Sequence, residues 1–349
     1  MKTSVQPGPI DTLIFFCGPL SWLPDAARLA RENGIKVYVF GVTRHLDDLF
    51  DPSSVPHPRT FRAVLEEEQI PYFHVADINT SEELKSVVTP KTMGLGIGEA
   101  YTFTRETLDL FEWRLYDFMI IRLPQYRGGA HSTWEILRGG RIGGWNVQQI
   151  NEEMIPGGYD SGEILKTREY LIPASARIPQ DYFATADREG LALFKEFFAE
   201  VQAGASFPLA KVQENFALYF PRLYTLRHGW INWAWTAHEI ERFICAFDEP
   251  YAGSSTYLHG KRVHLKSCQA DTLDGTFHPF MAGLVYRTFG GKVFIATSNG
   301  SIIAERVLDE YSTDITADIK VGQRFYTPQA QLEESMMFSA EYGTEGLKA

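Results

Sequence analysis

Short apolar runs alternate with amphipathic stretches through the first half of the chain, the pattern of a parallel sheet covered by helices. Residues 13–17 (LIFFC) read as a buried strand closed by Gly18, and 21–33 as a helix ended by Gly34. A strand at 36–42, a helix at 60–69 and a strand at 70–75 follow. Ser81 is expected to cap a short helix running to 88, and Thr104 another running to 111. Residues 93–103 read as strand and loop, and 118–123 as a buried strand that runs into Pro124. The alternation predicts a Rossmann-like, doubly wound α/β domain over residues 10–205.

The character changes around residue 180. Residues 180–203 predict a long amphipathic helix ending at Gly204, and Pro208 and Pro221 bracket an irregular linker over 206–228. A helix at 237–247 then precedes short strands at 256–258, 263–266, 283–288, 293–296 and 301–307. Gly290-Gly291 and Asn299-Gly300 are tight hairpin signals. One helix with several short strands predicts a small, OB-like β-barrel over 229–330, and 331–349 reads as a loose tail.

Composition narrows the partners. The 349 residues carry a formal net charge of −11, which weighs against a general affinity for nucleic acid or anionic membranes. No apolar run approaches membrane-spanning length, and the opening MKTSVQPGPI lacks a signal-peptide core, so a cytoplasmic location is the expectation. Cys17, Cys245 and Cys268 have no zinc-ligand spacing and read as reduced core thiols, so no metal site is expected. Exposed barrel edges make a homodimer plausible.

The segment 123–164 concentrates the candidate chemistry. Leu123-Pro124-Gln125-Tyr126-Arg127-Gly128-Gly129 joins a Pro-turn to a cation and a helix start, at the sheet edge where open α/β folds bind ligands. About thirty residues on, Tyr159-Asp160-Ser161-Gly162-Glu163-Ile164 sets a carboxylate at a glycine-flanked turn. Read from spacing alone, the second segment is equally a solvated loop Asp in a capping turn.

Together the two segments resemble the LP-x-[YW]-RG and D-[ST]-G signature of the folate-dependent formyltransferases, the family of methionyl-tRNA formyltransferase and the sugar N-formyltransferases. Residues 230–258 (WINWAWTAHEIERFICAFDEPYAGSSTYL) resemble the family's D-W-x-x-x-A-x-x-I-x-R-x-I-R-A segment with its P-Y-x-G, and 321–325 resembles the last strand of its C-terminal barrel. The likeness covers roughly residues 12–328. It implies a Rossmann-like domain, a C-terminal barrel and 10-formyltetrahydrofolate as co-substrate. It also implies ligand contacts from Gly98, Leu123, Pro124, Tyr126, Arg127, Gly128 and Tyr159, and a catalytic role for Asp160 in orienting a His and relaying the amine proton.

One departure changes the chemistry that the resemblance implies. The family's catalytic Asn and His, on the strand before LP-x-[YW]-RG, fall on Asp117 and Met119. Met119 cannot transfer a proton, and Asp117 opposes a developing oxyanion unless it is protonated. The bland account makes FMII a buried strand with Asp117 at its polar start. His131, in the first turn of the next helix, is the substitute catalytic candidate, and a surface His is its plain alternative. Asn146, Gln148 and Gln149 lie on the following strand, where alternation sends Gln148 and Gln149 to opposite faces. The segment 151–158 is longer than the family's link before D-[ST]-G.

Gly94-Leu95-Gly96-Ile97-Gly98 lacks the Lys-Ser/Thr ending of a phosphate loop and reads as close backbone approach. Trp230, Trp233 and Trp235 are expected to pack the second domain's helix on its barrel. His259, Lys261, Arg262, His264 and Lys266 form a basic strand, either an exposed sheet face or an anion contact. Formyl transfer to the amine of a small metabolite, such as a nucleotide-linked amino sugar or an amino-acid derivative, is the leading functional reading. A catalytically degenerate folate- or nucleotide-binding or partner protein, or another one-carbon or acyl chemistry, is the alternative.

Overall fold

The computed structural model describes residues 3–50, 58–98, 102–151, 160–212, 214–343 and 346–347. Its first sheet is built around β1 (Thr12–Cys17), whose six residues are all buried, as a central parallel strand covered on both faces requires. Beside it run β2 (Lys36–Gly41), β3 (Tyr72–His74), β4 (Thr92–Ile97) and β5 (Leu115–Met119), all parallel. Between β5 and the two antiparallel strands that end the sheet, the chain forms the short β6 (Tyr126–Gly128). Those strands are β7 (Ile142–Gln149) and β8 (Ile164–Leu171), and the order is β3-β2-β1-β4-β5-β7-β8. The chain reverses its direction of travel between β1 and β4, the switch that marks a Rossmann-like sheet.

Helices cover both faces. On α1 (Leu23–Glu32), Leu23, Ala26, Ala27 and Ala30 recur at helical spacing and bury one stripe against the sheet. The long α2 (Pro179–Gln202) lays Phe194, Phe197 and Phe198 on the same face, against Phe15, Tyr116 and Phe118. The opposite face holds Ile14, Phe16, Phe40, Phe103 and Phe111. Ser81 and Thr104 accept the N–H groups of Leu84 and Thr107, as their sequence positions predict.

The second domain opens with α3 (Ala237–Ala246), held by a Thr236/Glu239 capping box. Antiparallel strands follow: β9 (Ser254–Leu258), β10 (Lys261–Asp271), β11 (Val285–Phe289), β12 (Lys292–Ala296), β13 (Ser301–Asp309) and β14 (Phe325–Tyr326), in the order β11-β12-β13-β10-β9-β14. The sheet curls until its ends meet: the Val285 N–H donates to Gln323 O at 2.8 Å and Phe325 N–H to Gly283 O at 2.9 Å. This barrel-like closure occupies much of the edge expected to support a homodimer. Trp233 stacks on Phe325, and Trp235 packs on Phe243 of α3, as the tryptophan cluster predicts. Ile136 and Tyr182 of the first domain share a core with Ile240 and Ile244 of α3.

Four expectations need correction. The strand expected at 118–123 is β5, which begins three residues earlier and stops at Met119. Beyond it the carbonyl of Ile121 is taken by the side chain of Asn146. The linker is paired at both ends: Phe207–Pro208 against Ser4–Val5, and Leu218–Phe220 parallel to β6. The closing strand is Phe325–Tyr326, not 321–325. The tail is anchored by a helix over Gln329–Met337, because Leu332 finds a buried site, Arg227 pairs with Glu334 at 2.8 Å and His228 bonds to Phe338 O at 3.1 Å.

Candidate functional site

At the carboxyl end of β5 the pleat sends Asp117 and Met119 to one face, with Phe118 to the other. Across the antiparallel pairing to β7, Asp117 stands opposite Gln148 and Met119 opposite Asn146. On the other side Asp117 pairs with Gly96 of β4, where a Cβ would come within 3.3 Å of its Oδ1. Glycine at this position leaves room for the carboxyl. Asp117 is therefore mid-strand, not at the polar start expected for it. Asn146 and Gln148 are buried, and their amides donate to Ile121 O and, at 2.6 Å, to Gly162 O. Among the described residues their carbonyl oxygens find no partner. Gln149 turns the other way and donates to Trp113 O, as alternation predicts.

Asp160 approaches from the turn before β8. It is buried, its backbone is left-handed at φ 56°, a region that Asp tolerates better than most residues, and its Oδ2 accepts the Gly128 N–H at 2.8 Å. Gly128 has φ 96°, and a Cβ there would stand 2.0 Å from Phe220 O, because Leu218–Phe220 runs alongside β6. Only glycine fits, so the Arg127-Gly128 turn and its N–H are placed by the returning linker.

The two carboxyls sense each other. Burial, reinforced by the negative charge of Asp160, pushes the Asp117 carboxyl well above the usual carboxylate range. Burial also raises Asp160, but the Gly128 N–H and the Arg127 guanidinium oppose that rise. Two such groups cannot both ionise cheaply, and Asp117 is the one driven further towards its protonated form.

The other sequence-predicted residues are distributed around this pair. Leu123 joins a small apolar cluster with Ile121 and Ile164, against which Met119 packs, and Leu123–Pro124 is a cis peptide. Tyr126 packs on Phe220, with Arg122 and Arg138 over its ring at 5.7 and 4.8 Å, so it props the loop. Gly98, at φ 78°, ends β4 with no atom within 4 Å of where a Cβ would lie. Tyr159 and the extended segment from 152 onward lie outside the described residues.

His131 is not brought to Asp160. Its Nε2 lies 3.0 Å from Gly128 O, and it lines a cavity with Arg122, Glu135, Gly143, Gly144 and Tyr182. Burial lowers His131 to about 4, so near neutral pH it is an uncharged donor to Gly128 O.

Three of the basic strand's five basic residues turn to partners inside the protein, while His259 and Lys261 are exposed. Lys266 pairs with Glu249 at 2.8 Å, Arg262 donates to Leu226 O and Ser255 over the Trp230 ring, and His264 is buried.

A Rossmann-like sheet followed by a curled antiparallel sheet is a fold that this chain shares with solved formyltransferases. Residues 225–318 match the family model described as formyl transferase, C-terminal domain. The methionyl-tRNA formyltransferase of Herpetosiphon aurantiacus is 27% identical over 181 residues, 52% of this chain and 55% of that protein. The matched stretch thus spans about half the length of that relative. Among solved structures, the sugar 3N-formyl transferase WlaRD, crystallised in the presence of dTDP and 5-N-formyl-THF, superposes with a TM-score of 0.61 at 17% identity, covering 84% of this chain and 97% of that one. The N-formyltransferase from Helicobacter canadensis, in complex with folinic acid and dTDP-3-aminofucose, gives 0.58 at 16% identity, covering 85% and 99%. At these identities the likeness establishes the fold.

Proposed function

We propose that the chain transfers a formyl group from 10-formyltetrahydrofolate to the amine of a small metabolite, such as a nucleotide-linked amino sugar or an amino-acid derivative. The observation that carries this reading is the unequal carboxyl pair, Asp117 and Asp160, at the carboxyl edge of the sheet. The folate ligands and the dTDP-sugar named for the two similar structures support the donor and acceptor classes. The net charge of −11 and the pairing of Lys266 inside the protein weigh against a tRNA acceptor.

The acceptor nitrogen attacks the formyl carbon, and negative charge gathers on the formyl oxygen. Protonated Asp117 donates a hydrogen bond to that oxygen, the task of a carboxylic acid kept neutral by its surroundings. Asp160 takes the proton from the attacking nitrogen and returns it to the departing one as the old carbon–nitrogen bond breaks. Gly128 N–H and Arg127 keep Asp160 ionised for that work. Met119 adds apolar surface beside the pair and no proton chemistry.

The test has two stages. Calorimetric titration with 5-formyltetrahydrofolate, a stable stand-in for the donor, is expected to show micromolar binding. Incubation with 10-formyltetrahydrofolate and a panel of nucleotide-linked amino sugars and amino acids is then expected to add one formyl group, read by mass spectrometry. Donor binding with no acceptor formylated would point to the degenerate, ligand-holding alternative. No binding heat at any temperature would overturn the proposal.

A further inference from the structure

A second cluster of reactive groups lies far from the carboxyl pair, where the segment preceding α2 meets the second domain. Cys245 sits in the last turn of α3 and Cys268 on β10, and both line a cavity of about 250 Å³ with Arg177, Asp181, Asp248 and Ser267. Arg177 comes from the first domain's side of the junction. Its Nη2 lies 3.7 Å from the Cys245 Sγ and donates to Cys268 O at 2.7 Å and Glu241 Oε1 at 2.6 Å. The Cys268 thiol points at the same helical turn, 3.9 Å from Glu241 O. Arg177 thereby touches both cysteines, and both line the one cavity.

Glu241 and Asp248 oppose ionisation of Cys245, but the acids of the cavity are already engaged. Asp248 is satisfied by the N–H groups of Glu249 and Ser267, both at 2.7 Å, and Asp181 by those of Arg177 and Ile178. Cys17, the third cysteine, is buried in the first domain's core, and burial pushes its thiol up. That is the ordinary state of an inert structural cysteine.

We propose that Cys245 and Cys268 form a redox-active thiol pair that hydroperoxides convert to a disulfide. The two thiols differ in the way such a pair requires. Cys245 is held below the usual thiol range by the hydrogen bond from Cys268 and by the Arg177 guanidinium, against its burial. Cys268 is raised by its Cys245 neighbour and by burial. Cys245 is then the attacking sulfur and Cys268 the resolving one.

The chemistry balances in two steps. The Cys245 thiolate attacks one peroxide oxygen, forming an S–O bond as the O–O bond breaks, and an alcohol (or water, from hydrogen peroxide) leaves with a solvent proton. The Cys268 sulfur then attacks Cys245, forming the S–S bond as the S–O bond breaks, and water leaves with the Cys268 proton. The thiols lose two electrons and the peroxide gains them. Nothing in this proposal depends on formyl transfer.

The full chain, treated with hydrogen peroxide and then unfolded in a thiol-blocking reagent, provides the test. Free thiols are expected to fall from three to one, with a mass loss of two hydrogens that dithiothreitol reverses and a cross-linked peptide containing Cys245 and Cys268. Cys268→Ser is expected to stop at a dimedone-reactive Cys245. Arg177→Met is expected to slow the peroxide reaction about tenfold, the effect of removing a cation worth roughly one pKa unit to the thiolate. Three thiols surviving peroxide, or a disulfide that includes Cys17, would overturn the proposal. So would sulfinic or sulfonic products with no cross-link.

Discussion

Two regions of this molecule carry polar side chains inward, with opposite outcomes. On β10, Lys266, Arg262 and His264 look from the sequence like a basic stripe, yet each finds a partner inside the protein. On β7, among the described residues, the buried carbonyl oxygens of Asn146 and Gln148 have no partner, and Asp117 of β5 stands opposite Gln148. A buried polar group left unmatched is costly, on the order of 1–3 kcal/mol each. Satisfied charges on β10 are therefore part of the scaffold. Unsatisfied ones at the carboxyl edge of a Rossmann-like sheet are what a ligand would complete.

That contrast can be broken most sharply at Asp160. Asp160→Asn keeps the shape and the bond from Gly128 but removes the base, and turnover in the mass-spectrometric assay is expected to fall about 10²- to 10⁴-fold. Unchanged turnover would remove Asp160 from the mechanism. Asp117→Ala is expected to cost about 10²- to 10³-fold, whereas Asp117→Asn, which retains an N–H donor, should keep most of the rate. Equal losses in the two variants would mean that Asp117 does not act as a donor.

Asp117→Asn also carries a stability signature. A carboxyl whose folded pKa lies above its unfolded value binds more protons when folded, so its contribution is present at low pH and lost as pH rises. The asparagine variant should therefore gain stability over the wild type from about pH 4 upward, by at most about 1.4 kcal/mol per pH unit, in denaturant titrations. A gain independent of pH would mean that Asp117 titrates normally.

On the scaffold side, Lys266→Met keeps the apolar stem and removes the charge from the Glu249 pair. Glu249 is 39% exposed and retains Arg306 at 3.4 Å, so the loss should be only about 1–2 kcal/mol, with turnover unaffected. A loss of turnover would place β10 in the ligand site after all. The smallest effect is expected at His131→Asn, within about threefold in rate, because the ring lines a cavity with Arg122, Glu135 and Tyr182 and, among the described residues, bonds to Gly128 O alone. A hundredfold loss would restore it as a catalytic group.

Much of the fold was legible because its determinants are local. The run LIFFC, the caps Ser81 and Thr104, the helix stop at Gly204 and the hairpin at Gly290-Gly291 each act within a few residues. The errors fall where distant partners decide. The start of β5 was misplaced because Leu115-Tyr116-Asp117 has no clean apolar pattern, and its pairing with Gly96 and Gln148 overrides that. The tail reads as loose because Arg227 and His228, its anchors, lie a hundred residues away in sequence.

The sequence by itself determined the two-domain order, the family likeness and the expectation that Asp117 and Met119 stand where the family has an Asn and a His. Only the tertiary structure decided what that placement means. Whether Asp117 is a charge or a proton donor depends on its burial and on Asp160, forty-three residues along the chain. Whether Asp160 stays ionised depends on Gly128, whose position depends in turn on Phe220 of the returning linker. Electrostatic energy is set by distance through space and by access to water, and neither is written in the order of residues.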